Sequence, residues 1–129
     1  MTERTWDASI DGIEWGGETR RFRLGIGELR RVETVAGRGI FEVMQRLAQR
    51  SATLDEVRAI FKYGLEGAGI EANTAEREVR RYFDDAPKTP AYPIASLILM
   101  AAIMPPEDAA PQGKAEGDEM TPATGFPSP

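Results

Sequence analysis

The sequence predicts an α+β fold that is mainly α, with an N-terminal β-hairpin packed on a bundle of four to five short helices and a disordered C-terminal tail. Three observations predict it. Apolar and polar residues alternate on either side of Gly16-Gly17, apolar residues recur at helical spacing in successive segments from Gly25 to Met104, and all periodicity stops at Pro105. The 129 residues suit one domain. The expected organisation is a flexible N-terminus over 1–9, a single α+β domain over 10–104, and a disordered Pro-rich acidic tail over 105–129.

Ile13 and Trp15 alternate with polar residues before the glycine pair, and Phe22 and Leu24 alternate with Arg21 and Arg23 after it. A two-residue turn at the glycines pairs Trp15 with Glu18 and Ile13 with Arg20, which places Ile13, Trp15, Phe22 and Leu24 on one face. A lone hairpin is marginal in water, so that face must lie on helices, the only other elements the pattern offers.

Gly25 to Ala36 reads as a polar helix with Leu29 and Val32 on one side, ended by Gly37-Arg38-Gly39. Ile40 to Arg50 follows, with Ile40, Val43, Met44 and Leu47 at helical spacing. The third helix opens on a capping box, Thr53 with Glu56, and carries the stripe Leu54, Val57, Ile60, Phe61 and Leu65 up to Gly67 and Gly69. Asn73 with Glu76 is a similar start signal for a fourth helix. Ala75, Val79, Tyr82, Phe83 and Ala86 form its buried side before Pro87, and Arg77, Arg80 and Arg81 cover the other. The last helix begins around Pro93, suited to a first helical position, and runs apolar on all sides to Met104. At ~1.5 Å per residue it reaches ~18 Å, well short of the ~30 Å hydrocarbon thickness of a bilayer, so no membrane span is expected.

Charge and composition narrow the chemistry. Sixteen Lys and Arg stand against 21 Asp and Glu, a net charge of -5. From Pro105 onward lie six prolines, five acids (Glu107, Asp108, Glu116, Asp118, Glu119) and one base, Lys114, so this segment carries -4 and the remainder -1. It reads as a solubilising extension or as an electrostatic docking arm for a basic partner. The overall balance disfavours a general binder of nucleic acid or anionic membrane. Cys and His are both absent, which removes disulfides, Cys/His metal sites, thiol nucleophiles and imidazole bases. Met1 to Ile10 has no basic start leading into an apolar stretch, so neither a secretory signal nor an anchor is expected, and the location expected is cytoplasmic.

Motifs that could carry chemistry fall to structural readings. Gly25-Ile26-Gly27 lacks the third glycine of a dinucleotide fingerprint and the Lys-Ser/Thr of a P-loop. Gly64, Gly67 and Gly69 sit at a helix end unsuited to an anion and read as turn and cap residues. Asp55-Glu56 and Asp84-Asp85 are adjacent on helices and point apart, so neither pair forms an acid/base couple. Arg20, Arg21, Arg23, Arg30 and Arg31, near Trp15 and Phe22, could bind a single strand, but Glu14, Glu18, Glu28 and Glu33 intersperse them, and a solvated mixed-charge face is the simpler reading. No catalytic residue, cofactor or metal is assigned.

The last helix stands apart. It is either the central helix of the bundle or a helix with one side, Leu97, Met100, Ala101 and Met104, left for a partner. Together with Ile98, these are the candidate partner-binding residues, and the methionines suit adaptable packing.

The order of elements resembles the tail assembly chaperones of gene transfer agents and related siphophages, a family also labelled as gp10-type tail tube proteins. The likeness rests on the hairpin Gly12 to Leu24, on Gly25 to Glu33 (GIGELRRVE) and on Phe61 to Gly69 (FKYGLEGAG). It also includes the helix Glu76 to Asp85 with Tyr82 and the apolar end Ala95 to Met104. It covers roughly residues 10 to 104, and the long acidic segment departs from it. The resemblance implies a non-enzymatic factor that binds the tape measure protein, keeps it soluble and extended, and is replaced by tube subunits. Tail tube protein and further copies of this chain stay open as additional contacts; nucleic acid and membrane are not expected partners. Two other readings remain beside it, a structural tail tube subunit and a small regulatory or nucleic-acid-binding module.

Overall fold

Gly16 and Gly17 take φ of 68° and 80°, the left-handed pair that a two-residue hairpin turn requires. They join β1 (Ser9–Trp15) to β2 (Glu18–Arg23) in an antiparallel pair with Trp15 opposite Glu18 and Ile13 opposite Arg20, the register read from the sequence. Farther from the turn the register shifts between Ile10 and Ile13, where Gly12 has φ 77°. This bulge sets Ile10, rather than Asp11, opposite Phe22, an apolar pairing that unbroken alternation would have missed. Residues 6–105 are described by a computed structural model of the chain.

Five helices follow: α1 (Ile26–Ala36), α2 (Ile40–Ala48), α3 (Leu54–Gly67), α4 (Ala72–Val79), continued by a π-helical turn (Arg80–Asp84), and α5 (Ala91–Ile103). Together with the hairpin they make the expected mainly helical α+β fold, in one compact unit over Asp7–Met104. Ala8 is in the core and β1 begins at Ser9, so both belong to the folded unit rather than to a flexible 1–9 segment. The expected disorder of 105–129 concerns residues that lie, apart from Pro105, outside those described.

Caps mark most of the boundaries. Glu28 accepts from the Gly25 amide at 2.9 Å at the start of α1, and Gly37 closes that helix in the left-handed conformation with its N–H on the Glu33 carbonyl. The Glu33 carboxylate then accepts from the Ile40 amide at 2.9 Å, so a side chain of α1 caps α2. The capping box of α3 is complete, with Thr53 Oγ1 accepting from Glu56 N at 3.1 Å and Glu56 Oε1 accepting from Thr53 N at 2.7 Å. In α4 the N-cap is Glu71, whose carboxylate accepts from Thr74 N, and not Asn73, which lies inside the first turn. The last helix starts at Ala91, two residues before the expected Pro93, which its first turn tolerates.

The core forms around α3, against which α1, α4, α5 and β2 all pack. Trp15 stacks on Phe61 (centroids 5.2 Å apart, planes 8° apart) and meets Phe22 and Tyr82 edge-on, while Phe61 touches Phe22 and Phe83 at 5.9 Å. Ile13, Trp15, Phe22 and Leu24 are all buried, as their common face requires. Each fully buried aromatic or leucine contributes roughly 1.5–3 kcal/mol, enough for a few of them to secure a hairpin that would be marginal alone. The expected α3 stripe holds for Val57, Ile60, Phe61 and Leu65; Leu54, at the first position of the helix, is exposed. At the N-terminal end of α5, the Tyr92 hydroxyl donates to the Ala52 carbonyl at 2.9 Å and ties the helix to the loop before α3.

Two glycines of α3 are contact residues rather than turn residues. A Cβ on Gly64 would lie 3.0 Å from the Phe22 ring, and one on Gly67 would lie 1.9 Å from the carbonyl oxygen of Arg23. The second strand therefore crosses the helix at a distance only glycine admits. Gly67→Ala should lower stability by about 2–3 kcal/mol despite the better helix propensity of alanine, whereas Gly27→Ala, with open space around its Cβ, should raise it by roughly 0.5 kcal/mol. Chemical denaturation checks both, and an unchanged midpoint for Gly67→Ala would contradict the close approach.

Candidate partner-binding surface

The sequence of α5, AYPIASLILMAAI, contains no charged residue, yet the helix is buried on one side only. Ala91, Ala95, Ile98, Leu99 and Ala102 face the core, and the alanines let the helix lie close to α2, α3 and the hairpin. At 3.6 residues per turn, Leu97, Met100 and Met104 fall within about 60° of one another on the opposite side. They are 47%, 40% and 48% exposed, with Ala101 half-buried beside them. Four of the five residues singled out from the sequence thus share one side of the helix. The fifth does not: Ile98 is 1% exposed, because the residue after Leu97 is rotated about 100° around the helix and enters the core.

Other large apolar side chains reach solvent singly or in different places, with Ile26 and Val35 on α1, Phe41 on α2 and Leu54 on α3. Isolated exposed apolar residues are ordinary on protein surfaces, whereas Leu97, Met100 and Met104 are aligned on one uncharged helix. One side of α5 thus completes the core and the other is open to solvent.

Four of the five clustered arginines are committed within the fold, and Arg30 is exposed with no ion pair among the described residues. Arg20 pairs with Glu78 and Glu18, Arg21 with Asp7 and Asp11 at 3.1 and 3.4 Å, and Arg31 with Glu66 at 3.2 Å. Arg23 donates to the Asp7 carbonyl at 2.8 Å. The arginines that are close in sequence thus work as local fasteners in several directions. The adjacent carboxylates also separate: Glu56 is buried while Asp55 is exposed, and Asp84 is held by Arg58 while Asp85 is exposed. No group of three or more acidic residues able to hold a metal occurs among the described residues.

Two ionic centres were not visible in the sequence. Glu56, besides capping α3, has Arg38 Nε 2.8 Å and Arg46 Nε 3.8 Å from its carboxylate oxygens. The Arg38 Nε–H is directed to the Ala36 carbonyl at 3.3 Å, so its attraction to Glu56 is coulombic. Arg58 of α3 donates to Asp84 of the π-helical turn (2.9 Å, twice) and to Glu76 of α4 (2.7 Å). Those hydrogen bonds raise the guanidinium pKa and hold both carboxyls below their ordinary values of 3.8 and 4.5. Pairings between residues 18 and 26 positions apart leave no local spacing signal, so periodicity could not reveal them.

The fold and the surface together define a small, mainly helical protein with an aligned apolar stripe on its last helix. The chain belongs to the family described as phage tail tube protein, GTA-gp10, which it matches over residues 12–104. The match runs from the hairpin bulge to the end of α5 and supports the gene transfer agent and phage tail resemblance at the level of the family. No curated protein and no solved structure matches the chain. None of the helices among the described residues is long and apolar enough to cross a membrane.

The Arg58 clasp gives a signed pH dependence. Because the Asp84 and Glu76 carboxyls titrate lower in the folded protein, its stabilisation is present above about pH 4.5 and is lost as pH falls through their folded values, which lie below 3.8 for Asp84 and below 4.5 for Glu76. Arg58→Met should destabilise by about 1–2 kcal/mol at neutral pH, and its difference from the parent should shrink toward pH 3. Urea denaturation at the two pH values checks this, and a constant difference would contradict it.

Proposed function

We propose that the protein is a non-enzymatic tail assembly chaperone that covers apolar helical stretches of a tape measure protein before the tube polymerises around them. The single observation that carries this reading is the stripe of Leu97, Met100 and Met104 on α5. A tape measure awaiting its tube presents long apolar helical stripes to solvent, and an uncharged helix face is a matching surface for them. Methionines adapt their packing to successive registers along such a partner. The contact must also be reversible, because tube subunits have to displace it, and a stripe of three large residues suits a replaceable contact better than an obligate interface does.

The second reading, a structural tail tube subunit, is favoured by the family description itself. Tube subunits join rings through extended sheets, whereas the described residues of this chain form a single two-stranded sheet. Mass spectrometry of purified particles separates the two: stoichiometric copies of this chain in finished tails would establish the tube reading and overturn the chaperone.

Leu97→Asp and Met100→Asp should each reduce co-purification of the tape measure at least tenfold while changing stability by less than about 1 kcal/mol, since both side chains are substantially exposed. Ile98→Ala should instead cost about 2–4 kcal/mol, as expected of a core residue. A folded Leu97→Asp/Met100→Asp double variant, checked by circular dichroism, that still captures tape measure would remove α5 from the mechanism.

A further inference from the structure

The charged side chains of α4 and the π-helical turn are sorted by sign. From that sorting we infer that the outer face, Arg77, Arg80 and Arg81, is a docking surface for an acidic helical segment of a partner protein, one with carboxylates a helical turn apart. From Ala72 to Asp84 the sequence holds three acids and three arginines, so the segment has no net charge. All three acids are bound to other elements: Glu76 and Asp84 to Arg58 of α3, and Glu78 to Arg20 of the hairpin. The three arginines are all exposed. Tyr82 and Phe83, between them and Asp84, turn into the aromatic cluster.

Residues three and four apart are neighbours on a helix surface, and Arg77 and Arg81 are separated by about 6 Å along the axis with Arg80 beside them. Their charge is not cancelled. Arg77 donates to the neutral Thr74 hydroxyl at 3.3 Å, and the Arg81 guanidinium lies over the Tyr82 ring at 5.7 Å, contacts that position the two side chains without neutralising them. Neither makes an ion pair among the described residues, and Arg80 has a 3.4 Å contact with a Glu76 carboxylate that Arg58 already holds. Like charges at this spacing repel one another, and an anionic occupant relieves that repulsion. Carboxylates at i and i+4 on a partner helix match the row, and a guanidinium can take each of them through two N–H groups. A nucleic-acid strand fits less well, because the chain carries a net charge of -5 and the adjacent aromatic, Tyr82, is packed edge-on against Trp15 rather than offered for stacking. This surface lies on a different element from the apolar stripe of α5 and does not rest on the reading of that stripe.

The test uses the full chain and two synthetic helical peptides on one alanine-rich scaffold, with either glutamate or glutamine at every fourth position, followed by fluorescence anisotropy. The glutamate peptide should bind about fivefold or more tightly than the glutamine peptide at 50 mM NaCl, and the preference should collapse at 500 mM as the charges are screened. Arg77→Gln/Arg81→Gln should abolish the preference at an unchanged urea midpoint. Arg30→Gln/Arg50→Gln, which removes the same charge from exposed arginines elsewhere, should leave it intact, as should Leu97→Asp/Met100→Asp. Equal binding of the two peptides, or binding of neither, overturns the proposal. So does a preference that survives Arg77→Gln/Arg81→Gln, or one that falls as far in either control. Tighter binding of a single-stranded oligonucleotide, lost in Arg77→Gln/Arg81→Gln, assigns the face to nucleic acid and overturns the acidic segment.

Discussion

The structure depends on the docking of a two-stranded hairpin onto one helix. By itself the hairpin buries too little to hold. On α3 it finds a flat aromatic, Phe61, for Trp15 to stack on, and a glycine floor at positions 64 and 67 that lets β2 come within backbone contact. The aromatic cluster supplies the apolar energy and the glycines supply the approach. Neither suffices without the other, because a methyl group at position 67 would hold the strand away from the rings it must cover. The rest of the fold is arranged around this junction: α4 and the π-helical turn bring Tyr82 and Phe83 to it, and α5 covers the remaining side with its alanines and Ile98.

The charged residues serve the same end. Arginines dominate the basic side chains, and most act across elements: Arg20 from hairpin to α4, Arg31 from α1 to α3, Arg38 and Arg46 toward Glu56, and Arg58 from α3 to two partners. A planar guanidinium can hold two carboxylates at once, as Arg58 does, which a lysine ammonium does less specifically. Arg30, Arg50, Arg77 and Arg81, by contrast, make no ion pair among the described residues.

Much of this was legible in the residues, and the failures have physical causes. Period-two alternation and Gly16-Gly17 determine the turn, the pairing of Trp15 with Glu18 and the buried face, because local chemistry decides them. The bulge at Gly12 escaped because a single extra residue shows only as a break in alternation. Capping by Thr53 and Glu56 was readable from their spacing, but the convergence of Arg38 and Arg46 on the same carboxylate depends on how α2 packs. Glycines 64 and 67 looked like punctuation because a sequence does not show what passes over a helix. In the last helix, composition revealed that some apolar surface would stay open. It could not rank the sides, and so Ile98 was grouped with Leu97 although the two point about 100° apart.

The phenol of Tyr92 gives α5 a polarity of attachment. Its bond to the Ala52 carbonyl fastens the first turn of the helix, whereas the final turn ends at Met104 with an extended residue and two prolines. The two ends of α5 are therefore secured by different means, a polar tether at the tyrosine and apolar packing of Leu99 and Ala102 toward the methionine.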